Sequence, residues 1–266
     1  MRDLRIWRER VGECRNPALL ASTVGYVLGR RRLLRFAAQQ PAALTSAYVR
    51  EIEDDKPFLD AIRATLSQWT SYQPRAVDFT MAASWGSVFF NEVTLYALVR
   101  ARRPATVVET GGTPGKSTAF ILRALERNGT GHLYTIDLPP PAAAESLLVP
   151  RERFHEIRPA ALGSGWLVPE GLRVRHTLLT GRSRDALPPL LAGLERVDLF
   201  LHDSDHSYEN MTWELETAWP KVGPSGLLVA DDVLANTAFF DFGHRAGLAH
   251  RHVFNLGAAR PPLPVE

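Results

Sequence analysis

The sequence predicts an α/β fold in which a doubly wound, mostly parallel sheet follows an N-terminal helical extension. Three observations support this prediction. From about residue 105, short runs rich in β-branched residues alternate with amphipathic stretches, which is the pattern of β-α-β units. Most of these runs end in acids, histidines or glycines, and parallel strands end together at the edge where open α/β sheets bind ligands. Over residues 1–70, apolar residues recur at spacings of three and four, which is typical of helices, and residues 70–86 lose this period and are expected to be a connecting segment.

The composition is that of an ordinary globular protein. The chain has 266 residues, of which 45% are hydrophobic, and its formal net charge of +2 gives no electrostatic basis for a nucleic-acid partner. Cys14 is the single cysteine, which excludes a disulfide framework and a cysteine-based zinc site. The longest low-charge stretch near the start, residues 16–29, is shorter than the roughly 20 residues that a membrane-spanning helix needs. We therefore expect a cytoplasmic protein without a membrane partner.

Residues 1–86 are predicted to form the helical extension. Within it, Phe58, Ile62 and Leu66 repeat at a spacing of four and would lie on one face of a helix. The low-charge segment at residues 16–29 is flanked by arginines on both sides. A helix of that kind suits a subunit contact, so we expect any homo-oligomer to form through these N-terminal helices.

Residues 87–266 are predicted to form the sheet domain, which begins with a helix over residues 88–101 and a first strand over Thr106–Val108. The strand leads into a glycine turn, TGGTPGKST. A P-loop would need glycine in place of Thr110, and a dinucleotide-binding fingerprint would need glycine in place of Thr113. The turn is therefore neither of these motifs.

The glycine turn instead preserves an acid and two glycines: Glu109, Gly111 and Gly115. Glycines allow a tight turn whose backbone lies close against a flat ligand, and we expect Glu109 to be free to accept hydrogen bonds from that ligand. The alternative is that the glycines only let the strand and the next helix pack closely. Lys116, which follows the turn, is expected on a solvated helix face.

The later strands end in further polar groups. These are Asp137 after the second strand, Ser183 after the third, the acids and histidines of residues 202–206 after the fourth, and Asp231 with Asp232 after the fifth. Between the second and third strands, residues 139–172 form a long irregular insertion, which predicts a lid because loops of that length are usually functional. A helix is predicted over residues 208–219, ending at Pro220, and residues 248–257 are predicted to form a last strand.

The cluster HDSDH at residues 202–206 is unusually rich in titratable groups. If the strand alternation continues, Asp203 and Asp205 project to the same side. Carboxylates this close repel one another unless a cation or protons neutralise them, and hard oxygen ligands suit Mg²⁺, Ca²⁺ or Mn²⁺. The alternative is that the aspartates cap the following helix. His202 is expected to be a core residue.

These motifs resemble a known family. Glu109-x-Gly111-x-x-x-Gly115-x-Ser117, followed by Asp137, resembles class I S-adenosylmethionine-dependent methyltransferases. The segments LYTIDLP, GWLVPEGL, DLFLHDSDHSYENM and LLVADDV, in this order, resemble small-molecule O-methyltransferases of the macrocin and novobiocin type. The resemblance covers roughly residues 88–257 and implies the Rossmann-like methyltransferase fold. Position 113 is commonly glycine in that family, so Thr113-Pro114 is a departure that implies a stiffer turn.

The resemblance also implies the roles of individual residues. S-adenosylmethionine would contact Glu109, Gly111, Gly112, Gly115, Ser117, Asp137, Ser183 and Asp203. A divalent cation, Mg²⁺ in the first instance, would be held by Asp203, Asp231 and Asp232. Either Asp205 or His206 would act as the base, because an acceptor hydroxyl polarised by the cation must lose its proton before methyl transfer.

The function expected from these observations is transfer of a methyl group from S-adenosylmethionine to a hydroxyl of a small molecule. The acceptor would be a sugar or secondary-metabolite oxygen in natural product biosynthesis, and a divalent cation would assist. Two alternatives stay open. One is a metal-independent N-methyltransferase, and the other is a non-catalytic cofactor-binding protein that serves as a scaffold.

Overall fold

A seven-stranded sheet forms the centre of the protein. The structure is a computed structural model, and it describes residues 17–69, 89–138, 162–223 and 225–262. The strands are β1 (Thr106–Thr110), β2 (His132–Asp137), β3 (His176–Thr180), β4 (Leu199–His202), β5 (Leu227–Ala230), β6 (Ala249–Val253) and β7 (Leu256–Arg260). Their spatial order is β3-β2-β1-β4-β5-β7-β6. Strands β1 to β5 are parallel, whereas β7 pairs antiparallel with β5 and β6. The predicted doubly wound, mostly parallel sheet is confirmed.

The helices cover both faces of this sheet. They are α1 (Pro17–Ala38), α2 (Ala42–Glu53), α3 (Lys56–Trp69), α4 (Phe90–Arg102), α5 (Lys116–Asn128), α6 (Ser183–Gly193), α7 (Tyr208–Val222) and α8 (Ala238–Arg245), with a 3₁₀ helix over Glu170–Arg175. The helix predicted to end at Pro220 continues to Val222, so that boundary is wrong. Proline is accommodated in the last turn, and the helix ends where Gly223 adopts a φ of 63°.

Alternate strand residues enter two apolar layers, one on each face of the sheet. Val107, for example, packs in the layer formed with α1 to α5, whereas its neighbour Val108 packs in the layer formed with α6 to α8. Leu199 and Phe200 of β4 divide in the same way. This period of two follows from the pleat of a strand, and burial on both faces explains why β5 (LLVA) is apolar throughout.

The last predicted strand is a hairpin. Strands β6 and β7 are joined by a turn at Phe254 and Asn255, and Phe254 adopts a φ of 46°. Strand β7 (LGAAR) is fully buried but contains small residues rather than β-branched ones. The prediction of a single strand over residues 248–257 is therefore wrong. Strand β7 consists mainly of small residues, and β-propensity does not identify such a segment as a strand.

The N-terminal helices share the apolar layer on one face of the sheet. Tyr26 on α1 donates a hydrogen bond to the carbonyl oxygen of Phe90 on α4 at 2.9 Å. Ahead of α3, Asp55 is buried and accepts hydrogen bonds from Arg123 at 2.8 Å and Arg127 at 3.1 Å, both on α5. Among the helices that the structure describes, none is long and apolar enough to cross a membrane.

The contact between Asp55 and α5 should contribute measurably to stability. Asp55→Asn keeps the shape of the side chain but removes the charge that pairs with two arginines, so we expect the free energy of unfolding to fall by about 2 kcal/mol. Urea denaturation measures this change. The matched control is Asp60→Asn on α3, whose side chain is 70% exposed; there the loss should stay below about 0.5 kcal/mol. Equal effects at the two positions would contradict a structural role for the buried pair.

Candidate active site

The glycine turn lies directly against the loop that follows β4. Gly111 adopts a φ of +87°, and a Cβ atom at this position would lie 1.8 Å from the carbonyl oxygen of Asp203. Gly115 adopts a φ of +103°, and its Cβ atom would lie 3.0 Å from Gly165 Cα. Backbone packing alone therefore requires both glycines, which was the alternative interpretation of the turn. The same packing places the turn next to the acid cluster.

Glu109 is fully buried beneath the turn. Its carboxylate accepts hydrogen bonds from Ser117 Oγ at 2.6 Å, Thr118 Oγ1 at 2.7 Å and Thr135 Oγ1 at 2.8 Å. Burial raises the pKa of Glu109 to about 6, although the three hydroxyl donors oppose the shift. The expectation that Glu109 is free to accept hydrogen bonds from a ligand is wrong. Its carboxylate connects β1 with β2 and with the first turn of α5.

The turn also contacts the acid at the end of β2. Thr113 Oγ1 donates a hydrogen bond to Asp137 Oδ2 at 2.5 Å. Thr113, which departs from the family pattern, therefore fixes the carboxylate that the resemblance assigns to the cofactor ribose. Gly112 also packs against β2, since a Cβ atom at this position would lie 2.5 Å from Thr135 Cγ2.

The described part of the predicted lid packs on the glycine turn. The Gly165 N–H bonds to the Gly112 carbonyl oxygen at 3.1 Å, and the Leu167 N–H bonds to the Pro114 carbonyl oxygen at 3.0 Å. Leu167 is buried. From residue 162 onwards the insertion thus contacts the glycine turn, and its role as a lid stays a prediction. The remaining residues, 139–161, lie outside the described part.

Three carboxylates meet where β4 and β5 end. Asp203 follows β4, and Asp231 and Asp232 follow β5. The pKa of Asp203 is raised well above its usual value by burial and by the charge of Asp231. Burial and the neighbouring Asp232 raise the pKa of Asp231 to about 7. His202 and Ala230 pair in register at the ends of β4 and β5, and the Asp231 N–H bonds to the His202 carbonyl oxygen at 2.9 Å, so the structure brings these predicted residues together.

His206 lies within this acid cluster. Its Nε2 atom is 3.6 Å from Asp232 Oδ2 and 4.0 Å from Asp203 Oδ1. Burial, together with the nearby His202, lowers the pKa of His206. A neutral imidazole is thereby favoured, and this is the form that can accept a proton.

Asp205 occupies a different environment. Strand β4 ends at His202, so the strand alternation used to place Asp203 and Asp205 on one side does not apply. Asp205 is exposed, and its Oδ1 accepts a hydrogen bond from the Ser207 N–H at 3.0 Å. This is the turn and capping chemistry that the alternative interpretation described. The structure brings His206, rather than Asp205, to Asp203 and Asp232.

His202 is a core residue, as predicted. It is fully buried, and its Nδ1 lies 2.6 Å from Glu214 Oε2 on α7. Burial alone would raise the pKa of Glu214, but His202 lowers it to about 2, with smaller contributions from the hydroxyls of Ser183 and Thr110. Ser183 thus lies close to Glu214, and its predicted contact with the adenine of the cofactor stays a prediction.

Lys116 was expected on a solvated face, and this expectation is wrong. Its side chain is only 34% exposed, and Nζ lies 3.5 Å from Glu92 Oε1 on α4. Burial would lower the pKa of Lys116, but the charges of Glu92, Asp203 and Asp231 raise it overall. The lysine is therefore a cation within reach of the acid cluster. A helix pattern could not show this, because Glu92 comes from a different element.

Two asparagines also contact the acid cluster and were missed from the sequence. Asn91 Nδ2 donates to Asp231 Oδ1 at 2.7 Å, and Asn255 Nδ2 donates to Asp232 Oδ1 at 2.7 Å. Asp232 itself adopts a φ of 49°, which is uncommon for a residue other than glycine and is frequent at functional sites. No local motif marks either asparagine, because each contact spans a large separation in sequence.

The predicted cation site is not preformed as a set of ligands. In the described ranges, no three histidine, cysteine, aspartate or glutamate side chains are grouped so as to hold a metal ion. The chemistry of the cluster nevertheless fits a hard cation, because carboxylate oxygens follow the ends of two neighbouring strands. The magnesium site stays a prediction.

A comparison with protein families bears on this geometry. Residues 108–233 match the model of a family described as a methyltransferase domain. The match begins in β1 and includes the glycine turn and the acid cluster. Residues 108–233 are therefore similar to a methyltransferase domain, in agreement with the resemblance of the sequence.

Solved structures of methyltransferases share the fold. The crystal structure of a Podospora anserina methyltransferase, PaMTH1, bound to S-adenosylhomocysteine, has a TM-score of 0.51 at 16% identity, covering 76% of this chain and 88% of that one. A Klebsiella pneumoniae protein assigned as an O-methyltransferase has a TM-score of 0.52 at 18% identity, covering 82% of this chain and 96% of that one. At these identities the likeness shows the fold of the methyltransferase domain. A search of curated protein sequences gave no match.

The buried Glu109 predicts a pH dependence of stability. Folding raises its pKa from 4.5 to about 6, so the folded state binds more protons than the unfolded state between these values. Its contribution to the free energy of unfolding therefore falls as the pH rises through this window, by about 2 kcal/mol in total. Urea denaturation of the wild type and of Glu109→Gln from about pH 4 to about pH 7 measures the difference.

The control for this measurement is Glu170→Gln, because the Glu170 side chain is 93% exposed. The difference between wild type and this variant should not change with pH. A wild-type-minus-Glu109→Gln difference that stays constant, or that rises with pH, would contradict the assignment of a raised pKa to Glu109.

Proposed function

We propose that the protein transfers the methyl group of S-adenosylmethionine to a hydroxyl oxygen of a small molecule, with assistance from a divalent cation. The observation that carries this proposal is the contact between the glycine turn and the acid cluster. Ser117 Oγ at the end of the turn lies 3.5 Å from Asp203 Oδ2, and Gly111 packs on the Asp203 backbone. S-adenosylmethionine would therefore bind on one side of this contact, and the hydroxyl of the acceptor would bind on the other.

The donor side is formed by the ends of β1, β2 and β3. The backbone of Gly111, Gly112 and Gly115 would lie along the cofactor, and the Asp137 carboxylate would accept hydrogen bonds from the ribose hydroxyls. Ser183, the first residue of α6, would face the adenine. Glu109 and Ser117 support this side from below, since their hydrogen bond fixes the start of α5.

The acceptor side is formed by the ends of β4 and β5. Asp203, Asp231 and Asp232 would hold Mg²⁺ or another divalent cation, which when bound supplies a positive charge that lowers the pKa of the acceptor hydroxyl. His206 would take the proton, because it is the predicted base that lies beside both Asp203 and Asp232. Asp205 is the alternative base. The resemblance favours a sugar or secondary-metabolite oxygen as the acceptor.

One observation favours a second candidate, a metal-independent N-methyltransferase. Lys116 places a positive charge near Asp203 and Asp231, so the protein itself supplies partial compensation for their charge. An amine acceptor needs no metal-assisted deprotonation once it is neutral. Inactivation by a chelator separates the two candidates, as does the effect of substituting Asp231.

Cofactor binding provides the first test. Isothermal titration should show S-adenosylmethionine and S-adenosylhomocysteine binding to the wild type, and Asp137→Ala should weaken binding at least tenfold because the ribose hydroxyls lose a charged acceptor, worth about 1.5–3 kcal/mol. The control is Asp54→Ala, at an exposed position after α2, which should bind as the wild type does. A folded wild type that binds neither compound at millimolar concentration would refute the proposal.

Product formation provides the second test. Mass spectrometry of reactions with a panel of sugars, phenols and amines should reveal methylated hydroxyl compounds, and a chelator should reduce their formation at least tenfold. Asp231→Asn should reduce it about a hundredfold, as expected for loss of charge stabilisation in the transition state, while S-adenosylmethionine affinity stays within about threefold. Methylated amines formed in the presence of chelator would instead support the metal-independent alternative. Tight cofactor binding with no product across the panel would support the scaffold alternative.

A further inference from the structure

Glu214 on α7 is a fully buried carboxylate that contacts several elements at once. Its Oε1 atom accepts hydrogen bonds from Ser204 Oγ at 2.7 Å and from Asn210 Nδ2 at 3.2 Å. Its Oε2 atom accepts a hydrogen bond from Thr110 Oγ1 and lies 2.6 Å from His202 Nδ1. These contacts offset the cost of burying a charge, and they hold the carboxylate in one position.

The two residues that flank Asp203 are both among the partners of Glu214. His202 precedes Asp203 in the chain, and Ser204 follows it. Asn210, which is also on α7, donates to Ser204 Oγ at 3.1 Å and to the carbonyl oxygen of Asp205 at 3.0 Å. Helix α7 therefore holds this loop on both sides of Asp203.

The same carboxylate contacts the strand that leads into the glycine turn. Thr110 is the last residue of β1, and its carbonyl oxygen accepts a hydrogen bond from the Asp203 N–H at 2.8 Å. The next residue, Gly111, packs on the Asp203 backbone. Glu214 thus fixes the end of β1 and the loop of Asp203 relative to each other.

The proposed orientation of the methyl donor brings its amino-acid end to Asp203. The adenosine would lie at the ends of β2 and β3, where Asp137 and Ser183 are found. The strand order β3-β2-β1-β4 then places the other end of the donor at β1 and β4. That end carries an ammonium group, and hydrogen bonds between ammonium and carboxylate groups are strong and depend on geometry. A displaced Asp203 would therefore weaken binding of the amino-acid end more than binding of the adenosine.

We propose that Glu214 is a positioning residue for the methyl donor: by holding His202 and Ser204, it places the Asp203 carboxylate against the amino-acid end of S-adenosylmethionine. This inference rests on the proposed function, because it requires that S-adenosylmethionine binds in the orientation described. It depends neither on a cation nor on the identity of the acceptor.

The test compares two ligands by isothermal titration. One is S-adenosylhomocysteine, and the other is methylthioadenosine, which keeps the adenosine and the thioether but lacks the amino-acid end. Glu214→Met has a similar size but no acceptor oxygen. It should weaken binding of S-adenosylhomocysteine at least about tenfold, through misplacement of a charge-assisted hydrogen bond. Binding of methylthioadenosine should change by less than about twofold.

The conservative variant Glu214→Gln should restore most of the affinity. Its amide oxygen can accept hydrogen bonds from Ser204 and Asn210, and its NH₂ group can donate to the Thr110 hydroxyl and to Nδ1 of a neutral His202. We expect affinity for S-adenosylhomocysteine within about threefold of the wild type, because the loop keeps its hydrogen bonds.

The matched control is Leu215→Ala on the same helix. Leu215 is fully buried in the apolar layer formed with α6 to α8. Its truncation leaves a cavity that destabilises the fold but removes none of the hydrogen bonds of Glu214. Affinities for both ligands should stay within about twofold of the wild type. Thermal unfolding shows whether each variant is folded during the titration.

A milder variant keeps the test decisive if Glu214→Met does not fold. Ser204→Ala removes one hydrogen bond that holds the loop and leaves Glu214 in place. It should weaken binding of S-adenosylhomocysteine about threefold or more, whereas methylthioadenosine should bind as it does to the wild type.

The outcomes separate this inference from the proposed function. If the wild type binds S-adenosylhomocysteine and the folded Glu214→Met or Ser204→Ala variant binds it equally well, the role of Glu214 is refuted while the proposed function stands. Equal losses for the two ligands, or a similar loss in Leu215→Ala, would show general loosening of the fold and would also refute it. The same holds if Glu214→Gln loses as much affinity as Glu214→Met. If the wild type binds neither S-adenosylmethionine nor S-adenosylhomocysteine, the proposed function and the inference both fail.

Discussion

The buried carboxylate of Glu109 is the interaction on which the site depends. It accepts hydrogen bonds from two hydroxyls at the start of α5 and from Thr135 on β2, so it joins three elements at one point. A buried carboxylate is tolerated only where donors surround it, and these elements must therefore fold together. Their arrangement places Gly111 on the backbone of Asp203. Through this contact the glycine turn fixes the position of the loop that carries the acid cluster.

Much of the fold could be predicted because its signals are local. Short apolar runs, each followed by a polar cluster, are a direct consequence of parallel strands buried on both faces and ending at one edge. The same rule predicted that Asp203 and Asp231 follow neighbouring strands, and the pairing of β4 with β5 agrees. The sequence pattern did not define the residue at which β4 ends. Because β4 ends at His202, the strand alternation does not extend to Asp205.

The contacts that could not be predicted are those between distant segments. Lys116 reads as a surface residue of α5 until Glu92 of α4 is placed beside it, and Asn91 carries no motif at all. The role of Glu109 was misjudged for the same reason, since Thr135, which satisfies it, lies on another strand. Periodicity reports which face of an element is apolar. Periodicity does not show which polar group of another element contacts that element.

The hairpin of β6 and β7 lies beyond the parallel strands, and its turn brings Asn255 to Asp232. Helix α4 also reaches the acid cluster, but it contacts α5, the helix that follows the glycine turn, through Glu92 and Lys116. A change in the turn of this hairpin can therefore alter the surroundings of Asp232 while the hydrogen bonds around Glu109 stay in place.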